Sequence, residues 1–316
     1  MEPLDQQLPR PRREGAVMLP GGRALGFAEW GEPEGRPVIW CHGTPGARKQ
    51  IPPDGPELAE GKGIRLIGLE RPGTGLSTPY RYGHVIDWAT DLAAATDELG
   101  VDRFAIVGLS GGGPFVLAAC HALPDRVVAG AVLGGIGPTR GPEAAPGYTR
   151  LLPLVEPLLT FWRVPLGEAL THLVRPVRSV AEGAFDLYAR VAPPSDRPVM
   201  RQPEMKAMFL HDIVEACEGG LRAPVGDLVV FGREWGFSLR DIEVPVKFWH
   251  GDADGIVPLS HGEFQAAMVP RAGFQLCPGG GHFAGFILGP EVISFILEQW
   301  DVADTAPDSE ARSARA

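Results

Sequence analysis

Ser110 lies in "AIVGLSGGGPFVL", residues 105–117, where a buried-strand pattern gives way to a helix pattern. A serine in that place suits three kinds of chemistry: a nucleophile on a strained turn, a cap for the helix that follows, or one wall of a glycine-rich phosphate cradle. The spacing Gly108-x-Ser110-x-Gly112 fits the first. A serine forced into a sharp turn with positive φ draws together the residues two before and two after it, so both must lack a Cβ. Pro114 suits the first turn of a helix, and the free amides and positive dipole end there would face any negative charge forming beside Ser110. A P-loop instead needs Lys and then Ser or Thr after the glycines, where this chain has Pro114-Phe115. A dinucleotide fingerprint belongs in the first βα turn, and this is a later one. The loop alone does not separate nucleophile from cap.

A serine nucleophile also needs a base, an orienting acid and donors for an oxyanion, gathered at the ends of other strands. Three further loops offer them: "CHGTPG" (41–46), "HGDADGIVP" (250–258) and "GGGHFAGF" (279–286). Each follows a short apolar run. Those runs, "RPVIWCHG" (36–43), "IRLIGLERPG" (64–73), "RFAIVGLS" (103–110), "RVVAGAVLGGIG" (126–137), "VPVKFWHGDAD" (244–254) and "FQLCPGGGH" (274–282), lack polar alternation. Helix-like stretches at 85–100 and 114–123, near "SHGEFQAAM" and through "PEVISFILEQW" separate them. The pattern predicts an α/β protein with a mostly parallel central sheet and helices on both faces. A hairpin over 15–31, turning at Pro20-Gly21-Gly22, precedes it.

From Gly137-Pro138 the rhythm stops, and proline-broken helical segments follow to about residue 222. The expected organisation is a core at 1–137 and 226–300, a helical cap inserted at 138–225, and a disordered polar tail at 301–316.

With these four loops in order, the chain resembles the α/β-hydrolase fold family over about residues 15–300. The motifs are HG-x-PG, "ERPGTGLS", G-x-S-x-G, and G-x-x-D-x-x-V-P followed by G-H. The chain order Ser110, Asp254, His282 is that family's. The resemblance implies Ser110 as nucleophile, His282 as general base and Asp254 as its orienting acid. Motif alignment on Gly251, Val257 and Pro258 selects Asp254 over Asp252. It further implies an oxyanion hole from the backbone N–H groups of Thr44 and Gly111, with a cis peptide before Pro45, as in similar loops. Supporting roles fall to His42, Gly43, Gly108 and Gly112, with His42 pinning loops rather than reacting. His250 reads as structural and "ERPGTGLS" as an architectural turn.

The implied reaction is acyl transfer to water on a small, partly apolar carboxylic ester, with no metal and no organic cofactor. Amide or N-terminal proline peptide, thioester and carbon–carbon substrates, and perhydrolysis, stay open on the same triad; so does a non-catalytic ligand receptor on the same fold.

Composition sets limits on partners. The 316 residues carry 29 basic and 39 acidic side chains, a net charge of −10, with no basic face for nucleic acid. Four distant cysteines suggest buried thiols rather than a disulfide framework. No membrane-length apolar run and no signal-type h-region are found, so a cytoplasmic protein is expected. The expected partner is a small acyl substrate; a homo-oligomer is left open.

Overall fold

The computed structural model describes residues 8–161, 192–216 and 222–305, with positions 183, 185, 186, 189 and 190 between them. Arg13–Leu19 (β1) and Arg23–Gly31 (β2) form the antiparallel hairpin. Then come Arg36–Cys41 (β3), Gly55–Gly61 (α1), Ile64–Leu69 (β4), Trp88–Glu98 (α2), Phe104–Leu109 (β5), Gly113–Ala122 (α3) and Val127–Leu133 (β6). After a helical region follow Val246–Gly251 (β7), Leu259–Met268 (α7), Ala272–Cys277 (β8) and Gly289–Thr305 (α8). The helical region holds 152–161 (α4), Pro203–Ala216 (α5) and Arg222–Phe231 (α6).

The sheet runs β1-β2-β4-β3-β5-β6-β7-β8, and each pair from β4 to β8 is parallel. Every residue of β5 and β6 is buried. The two-residue period of a strand then sends Phe104 and Ile106 into one core and Ala105, Val107 and Leu109 into the other. This double burial is why the sequence shows no polar alternation. Register pairs Cys41 with Gly108, Leu109 with Leu133, Leu133 with Trp249 and Gly251 with Cys277. The carboxyl ends of β3, β5, β6, β7 and β8 therefore share one edge, and the loops of interest rise from it.

Between β6 and β7 the described residues hold helices and no strand. The segment "LGEALTHLV" lies outside them. Helix α6 passes through position 225, and its last residues, Val230 and Phe231, join the core below, with the Phe231 and Phe115 ring centroids 5.9 Å apart. At the C-terminus, α8 runs five residues into the segment expected to be disordered. Arg36 holds that extension by ion pairs to Asp301 at 2.7 Å and Asp304 at 2.9 Å, and Ala303 packs on the core. Residues 306–316 of the expected tail lie outside the described residues. No helix among the described residues is long and apolar enough to cross a membrane.

Candidate active site

Ser110 follows β5 directly and opens the turn into α3, where Pro114 stands in the first turn. Its φ is 52°, and it is the one non-glycine residue described with a positive φ. The turn closes only because its neighbours are bare. A Cβ on Gly108 would lie 2.7 Å from the Gly112 carbonyl carbon and oxygen, and one on Gly112 would lie 2.3 Å from the Cys41 oxygen. Both clashes are with backbone, which no side-chain rotation relieves. Gly112→Ala is therefore expected to cost on the order of 2–3 kcal/mol. Denaturant unfolding checks this: the midpoint should fall with an unchanged m-value.

His282 lies in the loop after β8. Its Nδ1 is 2.8 Å from Asp254 Oδ2. The other Asp254 oxygen accepts the N–H groups of Ile256 at 2.8 Å and Val257 at 2.9 Å. His250 Nε2 lies 3.3 Å from Asp254 Oδ2 and 3.0 Å from the Val257 oxygen. Burial alone would raise the Asp254 pKa. The hydrogen bonds from His250, His282 and the Val257 amide outweigh it and hold the carboxyl well below the usual range. Asp254 thus faces the imidazole as a fixed anion. Asp252 is exposed and accepts the Gly279 N–H at 2.7 Å; it has no bond to the histidine.

The serine and histidine loops meet across Gly134 and Gly135, just past β6. A Cβ on Gly134 would lie 3.5 Å from both Asp254 Oδ2 and His282 Nδ1, and one on Gly135 would lie 3.7 Å from the Ser110 carbonyl oxygen. Neither Ser110 Oγ nor His282 Nε2 has a hydrogen-bond partner among the described residues.

On the other side stands the loop after β3. Thr44-Pro45 is cis. A Cβ on Gly111 would lie 2.5 Å from Thr44 Oγ1, and one on Gly43 would lie 3.6 Å from Ser110 Cβ; the two expected oxyanion residues therefore approach each other beside the serine. The Thr44 N–H has no acceptor among the described residues. Gly111 lies in the first turn of the helix, where amides lack intrahelical acceptors. Gln50 secures the loop, accepting the Gly43 N–H at 2.6 Å and donating to the Pro45 oxygen at 3.1 Å.

His42 is fully buried and does pin loops: its Nε2 accepts the Arg71 N–H at 3.2 Å while Nδ1 lies 2.8 Å from the Gly43 oxygen. Burial first, and the Arg71 cation second, hold its pKa well below the ordinary 6.5. The unfolded chain binds a proton near pH 6.5 that the folded chain refuses, so this stability is present above that pH and is lost as pH falls. Between pH 7.5 and 5.5 the share due to His42 is about 1 kcal/mol. Unfolding midpoints at the two pH values, compared with His42→Gln, should show a shallower acid slope in the variant.

Four residues that pattern reading did not single out complete the surroundings. Arg71, inside the "ERPG" turn, is buried and donates to the His42 oxygen at 2.7 Å, the Gly43 oxygen at 2.8 Å and Thr44 Oγ1 at 2.9 Å. It pairs with Asp227 of α6 at 2.7 Å, and Thr44 Oγ1 donates to the same carboxylate oxygen at 2.7 Å. Asp212 of α5 accepts the Ala47 N–H at 2.9 Å and Gln50 Nε2 at 3.1 Å. Burial, with Glu215 and Glu70 nearby, pushes its carboxyl up to about 8. Asp196 accepts the N–H groups of His282 and Phe283. The three carboxylates, 86 to 183 positions along the chain from the groups they serve, leave no local sequence signal. In Arg71, a lone arginine beside Pro72-Gly73 reads as part of a turn.

The mainly parallel sheet with helices around it, carrying a serine turn and a histidine–aspartate pair at one edge, has the architecture of the α/β-hydrolase fold. Residues 36–157 match the family model described as alpha/beta hydrolase fold. The chain is 26% identical over 275 residues to the non-heme haloperoxidase of Rhodococcus erythropolis, covering 84% of this chain and 92% of that protein. It is 27% identical to the bifunctional esterase/perhydrolase of Acinetobacter calcoaceticus, over 85% and 92% of the two chains. The crystal structure of an esterase from a Rhodococcus species superposes with a TM-score of 0.63 at 22% identity, over 90% of this chain and 98% of that one. The chain has the α/β-hydrolase fold, and its similarity to that family's model is confined to residues 36–157.

Proposed function

We propose that the protein is a serine esterase working through an acyl-enzyme. The observation that carries this reading is the 2.8 Å contact between His282 Nδ1 and a buried Asp254 carboxylate, opposite a serine held at positive φ. Asp254 fixes the tautomer with Nε2 as the base and stabilises the imidazolium when it forms. His282 takes the Ser110 proton as Oγ attacks the ester carbonyl. The oxyanion so formed accepts the Thr44 and Gly111 N–H groups. Collapse expels the alcohol, protonated by His282, and water opens the acyl-enzyme by the same steps in reverse order. The expected substrate is a small carboxylic ester, with the cap at 138–225 supplying apolar contacts to one side of it.

An acyl-chain series of p-nitrophenyl esters, run beside matched anilides and N-terminal proline peptides, tests the bond. Ester turnover with a preference along the chain-length series is expected. Cleavage of anilides or peptides without ester turnover would overturn the ester reading. Similarity to the bifunctional esterase/perhydrolase of Acinetobacter calcoaceticus supports a second reading on the same acyl-enzyme, with hydrogen peroxide in place of water as the acceptor. Peracid formation when hydrogen peroxide is added to the ester assay would support it.

A further inference from the structure

We propose that Asp196, on the helical insertion, is a positioning residue for the catalytic base, so that docking of the insertion and alignment of His282 are one event. This rests on the proposed role of His282. Asp196 precedes a short helical turn, Arg197–Met200, and is 2% exposed. Its Oδ2 accepts the His282 N–H at 3.1 Å and its Oδ1 the Phe283 N–H at 3.1 Å. Among the described residues no Lys or Arg pairs with it. A buried carboxylate without a cation is costly unless hydrogen-bonded, and here both oxygens are spent on the backbone of the base loop.

The approach is as close as the chain permits. A Cβ on Gly281 would lie 2.2 to 2.5 Å from the Asp196 carboxylate carbon and oxygens, so the residue preceding the histidine must be glycine for the contact to exist. The same stretch also holds the acid loop. Ser195 Oγ donates to the Ala253 oxygen at 3.2 Å, and a Cβ on Gly255 would lie 2.8 Å from the Pro193 ring. Residues 193–196 thus touch the loops of both His282 and Asp254. Without these contacts the His282 loop would lose its two backbone bonds to the insertion.

Misplacing a reacting group by about 1 Å costs on the order of a hundredfold in rate. Asp196→Ala is expected to lower kcat for ester hydrolysis by about 10- to 100-fold with KM within threefold. Asp196→Asn keeps one acceptor oxygen but turns an NH2 toward the second amide, so it should fall between Ala and wild type. A kcat within twofold of wild type in a folded Asp196→Ala protein, or a loss confined to KM, would overturn the proposal. Should the Ala variant fail to fold, amide hydrogen exchange on the wild-type protein decides. Protected His282 and Phe283 amides are expected, and exchange at the rate of an open loop would overturn it. Ser110→Ala and His282→Ala run in parallel: if both retain turnover, the proposed mechanism itself has failed, independently of Asp196.

Discussion

Ser110→Ala is expected to lower kcat for ester hydrolysis by about six orders of magnitude while leaving the fold intact. The side chain has no hydrogen-bond partner among the described residues, so removing Oγ breaks no contact that holds the elbow. The glycines at 108 and 112 make the turn possible, and they remain. What is lost is the atom proposed to bond covalently to the acyl group. Water attacking directly in the same site would still meet the oxyanion donors, and the residual rate should stay roughly 10³- to 10⁴-fold above the uncatalysed reaction. Steady-state kinetics with purified variant, paired with a thermal melt to show an unchanged Tm, measure both parts. A kcat within tenfold of wild type would mean that another group attacks.

Asp254→Asn is expected to lower kcat by about four orders of magnitude, and Asp252→Asn by less than threefold. The contrast follows from the partners. Asp254 presents one oxygen to His282 Nδ1 and the other to two backbone amides. An asparagine that keeps its oxygen on the Ile256 and Val257 amides must turn NH2 toward the imidazole, which then places its proton on Nε2 and loses its basic nitrogen facing Ser110. Among the described residues Asp252 meets only the Gly279 amide and takes no part in that exchange. Removing the Asp254 anion also affects stability. Its folded-state pKa is depressed, so its contribution is present above the ordinary carboxylate pKa and is lost as pH falls toward the folded value. The Asn variant should therefore show weaker acid dependence of unfolding than wild type. A greater activity loss at Asp252 would reverse the assignment.

Much of this was legible in the residues because it is local. Strand, turn and helix around Ser110 can be read from one thirteen-residue stretch, since glycine at 108 and 112 and proline at 114 have direct steric causes. The strand ends could be placed because doubly buried strands appear as unbroken apolar runs closed by glycine. The choice of Asp254 over Asp252 came from spacing alone; the side-chain directions became visible only with β7 and β8 in register. What the residues did not disclose was how the insertion meets the core. Asp196, Asp212 and Asp227 look like ordinary helix-surface acids in sequence, and each is matched to a backbone amide or a buried arginine that only the folded chain brings near. The end of α8 is hidden from composition for a related reason: its acids at 301 and 304 pair with Arg36 of β3.

The nucleophile can be tested without knowing the substrate. Wild-type protein is treated with a fluorophosphonate probe, and its intact mass and peptide map are recorded beside Ser110→Ala and His282→Ala. The proposed mechanism predicts a single adduct on Ser110 in wild type, none in Ser110→Ala, and labelling slowed at least a hundredfold in His282→Ala. An unlabelled wild type, or an adduct on any other residue, would contradict it.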